Sequence, residues 1–364
     1  IVEVLANGDF SVVKPDNTGG LINRGTVAEQ FLYEIGDPGS YLLPDVVCDF
    51  TNVTIKEVGT DCVLVSGAKG FPPTDSYKVS ATYMDGFRVG ISVVIIGIEA
   101  TEKARVISES IIKKTRNMFT HLGLKDYTDT HISILGAEST YGENAKSPNP
   151  REVVLRLMAT HTQKEALVLL SREIAHASTG MAPGLTSMGS GRPSVSPSIR
   201  LYSFLIPKKD IEVSVNIEEN KFKVSVSADG GYSVESHIDS ILLDEIVETD
   251  ASVPLVKLAY ARSGDKGDHA NIGVIARKAH YLPFITRGLT TDSISEYFSH
   301  VLKGNVFKWE VPGINGLNFL LKNSLGGGGM ASLNIDPQGK AYAQQLLEYP
   351  IPISKEIMEE IKLQ

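Results

Sequence analysis

The spacing of apolar and polar residues changes period several times along the chain, and each change predicts a different element. The opening "IVEVL" and "DFSVVKP" are strand-like runs split by Asn7-Gly8, a pair that favours a tight hairpin turn. Val27, Phe31, Leu32 and Ile35 then recur at helical spacing behind Thr26 as a cap, and Gly36-Asp37-Pro38-Gly39 ends that helix. Residues 46–57 and 61–66 read as strands, and "GAKGFPPTDS" at 67–76 as a loop rich in breakers. "YKVSATYM" and "RVGISVVIIG" follow, predicted as a hairpin that turns at Asp85-Gly86.

Beyond residue 100 the period lengthens. "TEKARVISESIIKKTRNMFTHLG" sets Ala104, Ile107, Ile111 and Ile112 on one side and charges on the other, which predicts an amphipathic helix. A strand-like "HISILG" and a polar loop over 139–150 lead to a helix expected from near Pro150 through "REVVLRLMATH", and "TQKEALVLLSREIAHAS" predicts a second. "TGMAPGLTSMGSGRPSVSPS" is a glycine, serine and proline tract whose length favours a site or a lid. "IRLYSFLIP" reads as a strand and "IEVSVNIEENKFKVSVSA" as a hairpin around Glu218-Glu219-Asn220, while residues 227–252 turn polar and acidic and read as a linker. Over 253–353 the order is strand "PLVKLAY", strand "NIGVIAR", a helix near 291–303, strands "VFKWEV" and "LNFLLKN", then "LGGGGMASLN" and helix "PQGKAYAQQLLEY". That order predicts a small α+β sandwich, one sheet with helices on one face, followed by a tail over 354–364.

Composition narrows the classes. With 364 residues and 42% hydrophobic content, the chain can bury more than one core, and two domains are expected. The net charge is -8 with the basic residues spread out, which speaks against a nucleic-acid partner. Cys48 and Cys62 share no metal-ligand spacing and read as reduced, half-buried thiols, in keeping with a cytoplasmic location. No apolar run reaches the roughly 18 residues of a membrane-spanning helix, so no membrane partner is expected. The chain opens directly into a strand without methionine, so a missing N-terminal segment of its own chain is expected ahead of Ile1.

Five passages together resemble the acyclic terpene utilisation family, the AtuA-like proteins. They are "TGGLINRGTVAEQFLYEIGDPGSYLLPD", "SGAKGFPPTDSYKVSATYMDGFR", "NPREVVLRLMATH", "MAPGLTSMGSGRPSVSPSIRLYSFLIPK" and "YARSGDKGDHANIGVIAR". The resemblance implies that residues 1–226 are the C-terminal part of the family's main α/β domain, a partial domain whose N-terminal part is absent. It also implies that 253–353 are its α+β ferredoxin-like sandwich. Members of this family resemble participants in the breakdown of branched terpenoid and related carboxylic acids as coenzyme A thioesters.

The candidate chemistry centres on "ARSGDKGDHANIGV", residues 261–274. A phosphate-binding loop runs from a strand into a helix, so that backbone N–H groups and the helix dipole face the phosphate; here a second strand follows instead. Asp265, Asp268 and His269 could ligate a divalent metal, although three neighbours in one turn rarely converge without a fourth ligand. Two readings stay open. One is a turn in which Gly264 and Gly267 take positive φ and both aspartates bond local N–H groups. The other is a site in which Arg262 and Lys266 hold a carboxylate or thioester phosphate, Asp265 or Asp268 moves a proton, and Asn271 contacts substrate.

Elsewhere, "DNTGG" places Thr18, Gly19 and Gly20 where N–H groups could face an anion, while Glu34 and Asp37 fall at a helix end where carboxylates are unfavourable. Lys78, Asp85 and Arg88 share "YKVSATYMDGFR", Arg192 sits in the glycine-rich tract, and "GGGG" at 326–329 gives close backbone approach or a flexible connector. No GxSxG elbow or HExxH pair occurs. The expectation is an enzyme acting on a small branched carboxylate or acyl-CoA thioester by lyase- or hydratase-like acid–base chemistry without a redox cofactor, with Lys78, Asp85, Asp265 and Asp268 as the acid–base groups. The alternative is a non-catalytic subunit or scaffold for an acyl-CoA carboxylase or transferase partner. A homo-oligomer is expected in either case.

Overall fold

The computed structural model describes residues 1–187, 191–232 and 249–363. The chain divides into two compact units, one formed by Ile1–Ser80, Ser203–Ser324 and Gln338–Gln364, the other by Ala81–Tyr202 and Leu325–Pro337. Among the described residues no helix is long and apolar enough to cross a membrane. Cys48 and Cys62 are free thiols of intermediate exposure.

The first unit is built from small antiparallel sheets. Strands Val2–Val4 and Phe10–Val13 pair as the opening hairpin, and Cys62–Ser66 and Thr54–Gly59 extend it to four strands. The strand expected over 46–57 is interrupted. Val47–Asp49 joins a separate three-stranded sheet with Tyr41–Leu42 and Lys69–Phe71, because Asp49 accepts from Thr51 N and Oγ1 and turns the chain between the two pieces. The helix is Arg24–Phe31, earlier than expected. Asn23 rather than Thr26 is its cap, and Thr26, at the third helical position, returns a hydrogen bond to the Asn23 backbone.

Four strands make the sheet that carries "SGDKGD", in the order Ala259–Lys266, His269–Ala276, Gly316–Leu321, Val306–Val311, all antiparallel. The motif is the tip of a hairpin. Lys266 pairs with His269, and Gly267 and Asp268 form the two-residue turn, with φ of +69° at Gly267. Gly264 lies within the strand, so the positive φ expected there is not found.

That sheet is covered on both faces, whereas the sequence predicted helices on one. On one side helical segments Thr291–Tyr297 and Tyr342–Leu346 lie against the sheet, Lys308 donates to the Thr286 and Leu289 carbonyls in and just after helical segment Leu282–Gly288, and the buried Phe298 and Tyr342 rings stack at 5.2 Å. Helix Arg24–Phe31 and the residues after it lie on the other. Leu32 is fully buried, joining Ile275 and Ile314 in one core with Val53, Ile55, Val63 and Val65. Glycines permit that approach: a Cβ on Gly273 would lie 2.5 Å from Leu32 Cβ, and one on Gly264 would lie 2.7 Å from both Tyr33 and Glu34 side chains.

In the second unit, strand Ser76–Ile96, of which Ala81 onward belongs here, is a single run of 21 residues rather than the expected hairpin. Gly86 has φ of +76° but does not reverse the chain; it relieves a close approach to the His161 carbonyl. "REVVLRLMATH" is strand Glu152–His161, not a helix. Its Val153, Leu155, Leu157 and Ala159 alternate into the core, and it is paired on both sides, by Asp129–Leu135 and by the long strand. Helices Ala100–Leu122 and Lys164–Gly180 cover that apolar face as their periodicity predicted. Short strand Leu185–Ser187 pairs the long strand's end, and the rest of the glycine-rich tract is partly outside the described residues, at 188–190.

Hairpin Ser214–Ile217 with Asn220–Lys223 forms as predicted. Of the acidic stretch 227–252, residues 233–248 lie outside the described residues, and the tail expected over 354–364 contains helix Lys355–Lys362. Because Leu32 Cβ is not the free end of a flexible side chain, Gly273→Ala should cost about 1–3 kcal/mol by overpacking. Gly19→Ala, with nothing within 4 Å of the added Cβ, should stay within about 0.5 kcal/mol of the parent; urea unfolding of both variants measures the contrast.

Candidate functional site

The candidate site forms where the chain leaves helix Arg24–Phe31 and crosses the motif hairpin. Along strand Ala259–Lys266, alternation puts Tyr260, Arg262, Gly264 and Lys266 toward that helix, and Ala261, Ser263 and Asp265 toward segment 338–343. The strand is the sheet's edge, so residues of both faces meet beyond it. Glu34, with φ of +60°, extends across the glycine gap at Gly264 and takes Lys340 Nζ at 2.9 Å. A non-glycine residue in this left-handed region is uncommon and strained, a state that clusters at functional positions.

Around this ion pair the charges are dense. Lys340 Nζ stands 4.3 Å from the Tyr33 ring centroid and the Arg262 guanidinium 4.9 Å from the same ring, with Glu29 3.9 Å from Arg262. Lys266 Nζ is 5.0 Å from the Tyr41 ring centroid. Gln338 Nε2 donates to Asp265 Oδ1 at 3.4 Å. Burial, and then the Glu34 charge, push the Asp265 carboxyl above the usual carboxylate range. Burial pulls the Lys266 ammonium below the usual lysine range, and Lys78 pulls it the same way, while Glu34 and Asp265 oppose the shift. The result is a carboxyl shifted up and an ammonium shifted down, on consecutive residues of the strand.

His269 follows across the turn. Burial holds its imidazole below the usual range, and Asn323 N–H donates to its Nδ1 at 3.0 Å. Asp37, beyond Glu34, is raised by burial and by Asp49 against the N–H of Gly39. Among the described residues no group of three or more His, Cys, Asp or Glu side chains is placed to hold a metal ion.

The sequence-predicted residues separate into those this site gathers and those placed elsewhere. Asp265, Lys266, Arg262 and Lys78 share it, Lys78 acting on Lys266 and His269 by charge. Asp268 forms the turn, its carbonyl accepting from Ser324 N at 3.0 Å. Asn271 is fully buried in the sheet, where its amide bonds Asn318 Oδ1 at 2.5 Å, and Asn318 in turn holds the Ile35 and Gly36 carbonyls. Its place is beneath the site, holding the chain that carries Glu34.

Thr18, Gly19 and Gly20 are exposed and lie upstream of the helix start, where the N–H groups of Ile22 and Arg24 are already taken by Asp61 and Glu57. The Ile22 N–H with Lys14 holds Asp61 below its usual range. Asp85 and Arg88 belong to the second unit, Asp85 paired with Arg200. Arg192 is exposed there, next to residues outside the description. Two surface hollows of about 390 and 290 Å³ flank helix Ala100–Leu122 and include none of these residues.

Sequence reasoning did not find Lys340, Gln338, Tyr33 or Tyr41. Lys340 and Gln338 lie more than sixty residues beyond the motif and carry no local signal. With this geometry in hand, comparison with known proteins matches residues 1–217 to the description "Acyclic terpene utilisation family protein AtuA". The chain belongs to the acyclic terpene utilisation family. Residues 253–352 match the family's AtuA ferredoxin-like domain, which contains the motif hairpin, while Tyr33, Glu34 and Tyr41 come from the first match. No curated protein and no solved structure matches the chain.

The raised Asp265 fixes the sign of a stability test. A carboxyl with its folded pKa above the unfolded value stabilises the fold below the unfolded pKa, and that contribution is lost as pH rises through the folded pKa. Asp265→Asn should therefore unfold at or above the wild-type temperature at pH 7. The gap should close as pH falls through the carboxylate range; thermal unfolding at both pH values reads it, and a variant less stable at pH 7 contradicts the assignment.

Proposed function

We propose that this protein is an enzyme of acyclic terpenoid or branched carboxylic acid catabolism, acting on a small carboxylate or its coenzyme A thioester by proton transfer beside the carbonyl. The reaction is an addition or elimination of the lyase or hydratase kind. The observation that carries the reading is the adjacency of Asp265, its carboxyl shifted up, and Lys266, its ammonium shifted down, at a strained Glu34, a pairing of perturbed groups typical of acid–base sites. In this scheme Arg262 and Lys78 receive the substrate's carboxylate or the thioester's phosphates. The Lys266 amine abstracts the proton α to the carbonyl, and Asp265 delivers its proton to the departing or accepting group. The family's association with terpene utilisation supports the substrate class.

The second reading, a non-catalytic subunit for an acyl-CoA carboxylase or transferase partner, draws on hairpin 214–223. It is a separate two-stranded sheet that holds Val215, Ile217 and Phe222 in solvent, and such a hairpin is marginal without cover.

A panel of branched acyl-CoA thioesters, incubated with the protein in deuterated water, separates the two. Under the enzyme reading the substrate exchanges its α-hydrogen, Lys266→Met lowers the rate by about 100-fold or more, as loss of a general base does, and Arg262→Gln raises KM more than it lowers kcat. If no thioester exchanges or shifts the unfolding midpoint, the enzyme reading fails. A second protein that co-elutes with the wild-type chain but not with Phe222→Ser would then favour the subunit.

A further inference from the structure

In the second unit the face of the sheet turned away from the helices carries a separate polar cluster. Register places it: Arg88 is opposite Thr160, Gly90 opposite Met158, and Ser92 opposite Arg156, while Met158 and Arg156 lie opposite His131 and Ser133 on the other neighbour. Alternation puts these residues on one side, since Val89, Ile91, Leu155, Leu157 and Ala159 fill the core on the other.

Segment 325–337 crosses this face. It begins with three glycines of positive φ, Gly326, Gly327 and Gly328. Arg88 donates to the Met330 carbonyl at 2.7 Å and the Ser332 carbonyl at 3.1 Å, and Arg156 donates to the Leu333 carbonyl at 2.7 Å. The two guanidinium groups are held by neighbouring carbonyls, and burial, then the charge of Arg88, destabilises the charge of Arg156. Arg156 in turn helps burial keep the His131 imidazole below its usual range. Among the described residues neither arginine meets a carboxylate at salt-bridge distance.

Anchoring three carbonyls does not require two arginines that repel each other, and it leaves N–H donors of both over. Thr160, 5% exposed and directly opposite Arg88, has a buried hydroxyl oxygen with no hydrogen-bond partner. An unsatisfied buried hydroxyl beside paired cations is costly in the empty protein and is satisfied by an incoming acceptor.

We propose that Arg88, Arg156 and Thr160 form a binding site for an oxyanion, a carboxylate or a phosphate group, beneath the glycine-rich segment 325–337. The arginines supply charge and forked donors, Thr160 donates its hydroxyl hydrogen, and the neutral His131 ring makes a further hydrogen bond. The site uses residues of the second unit alone and is independent of the acid–base cluster at Asp265.

Isothermal titration of the full chain with inorganic phosphate and, separately, with 3-methylbutanoate tests this and separates the two sources of the anion. The expected result is saturable binding of at least one of them. Thr160→Val should keep or raise the unfolding temperature of the free protein, because it removes a buried hydroxyl that bonds nothing there, yet weaken that binding about tenfold. Arg156→Gln should weaken it more, and Asp265→Asn should keep the Thr160-dependent part of the binding. Absence of binding by both probes, equal binding by wild type and Thr160→Val, or loss of that Thr160-dependent part in Asp265→Asn overturns the proposal.

Discussion

The architecture of the first unit depends on one close approach, that of Leu32 to Gly273. A sheet strand ordinarily keeps a covering helix at side-chain distance. Here the missing Cβ at Gly273 lets a leucine pack against bare backbone, and Gly264 lets the next two residues do the same. Gly25 repeats the arrangement from the helix side, its missing Cβ leaving room for the Tyr260 ring. The buried Asn271 and Asn318 amides then tie the Ile35 and Gly36 carbonyls to the sheet, so the chain between Leu32 and Gly36 is held at both ends. Tyr33 and Glu34 lie in that held span.

The electrostatics follow from this packing. Glu34 is carried over the edge strand in a left-handed backbone conformation, and its charge acts on Asp265 and Lys266 in opposite senses. For Asp265 it adds to burial; for Lys266 it opposes burial and leaves a smaller downward shift. Lys340 reaches Glu34 from the other face of the same strand, so the carboxylate is shared between a direct partner and two neighbours. Release of Glu34 would ease the upward shift of Asp265 and leave the burial of Lys266 less opposed, which ties the site's electrostatics to the fit of a helix on two glycines.

Much of this was legible in the chain. Helices Ala100–Leu122 and Lys164–Gly180 were readable because a long amphipathic repeat has one solution. The strand Glu152–His161 was not, since "REVVLRLMATH" is a short apolar run that either period accommodates. Pairing on both edges decides it, and pairing is a property of distant segments. Asp85-Gly86 has the composition of a turn, yet neighbours along strand 76–96 keep it extended, and the glycine is used for a close carbonyl instead. The motif at 261–274 was recognisable as a cluster of charges, but its glycines serve different ends: Gly267 makes the turn, and Gly264 makes room.

By itself the sequence determined the family, the hairpin at the motif, the long amphipathic helices and the presence of Arg262, Asp265 and Lys266 in one short segment. Each is encoded within a window of a few tens of residues, where local periodicity, turn chemistry and motif are sufficient. Only the tertiary structure decided that Tyr33, Glu34 and Lys340 join those three, and that Asp85 and Arg88 belong with Arg200 and Arg156 instead. Those contacts bring together residues far apart in the chain, Asp85 and Arg200 by 115 positions and Glu34 and Lys340 by 306. What selects them is packing volume at a few glycines and the loss of solvent around the charges, neither of which a linear pattern records.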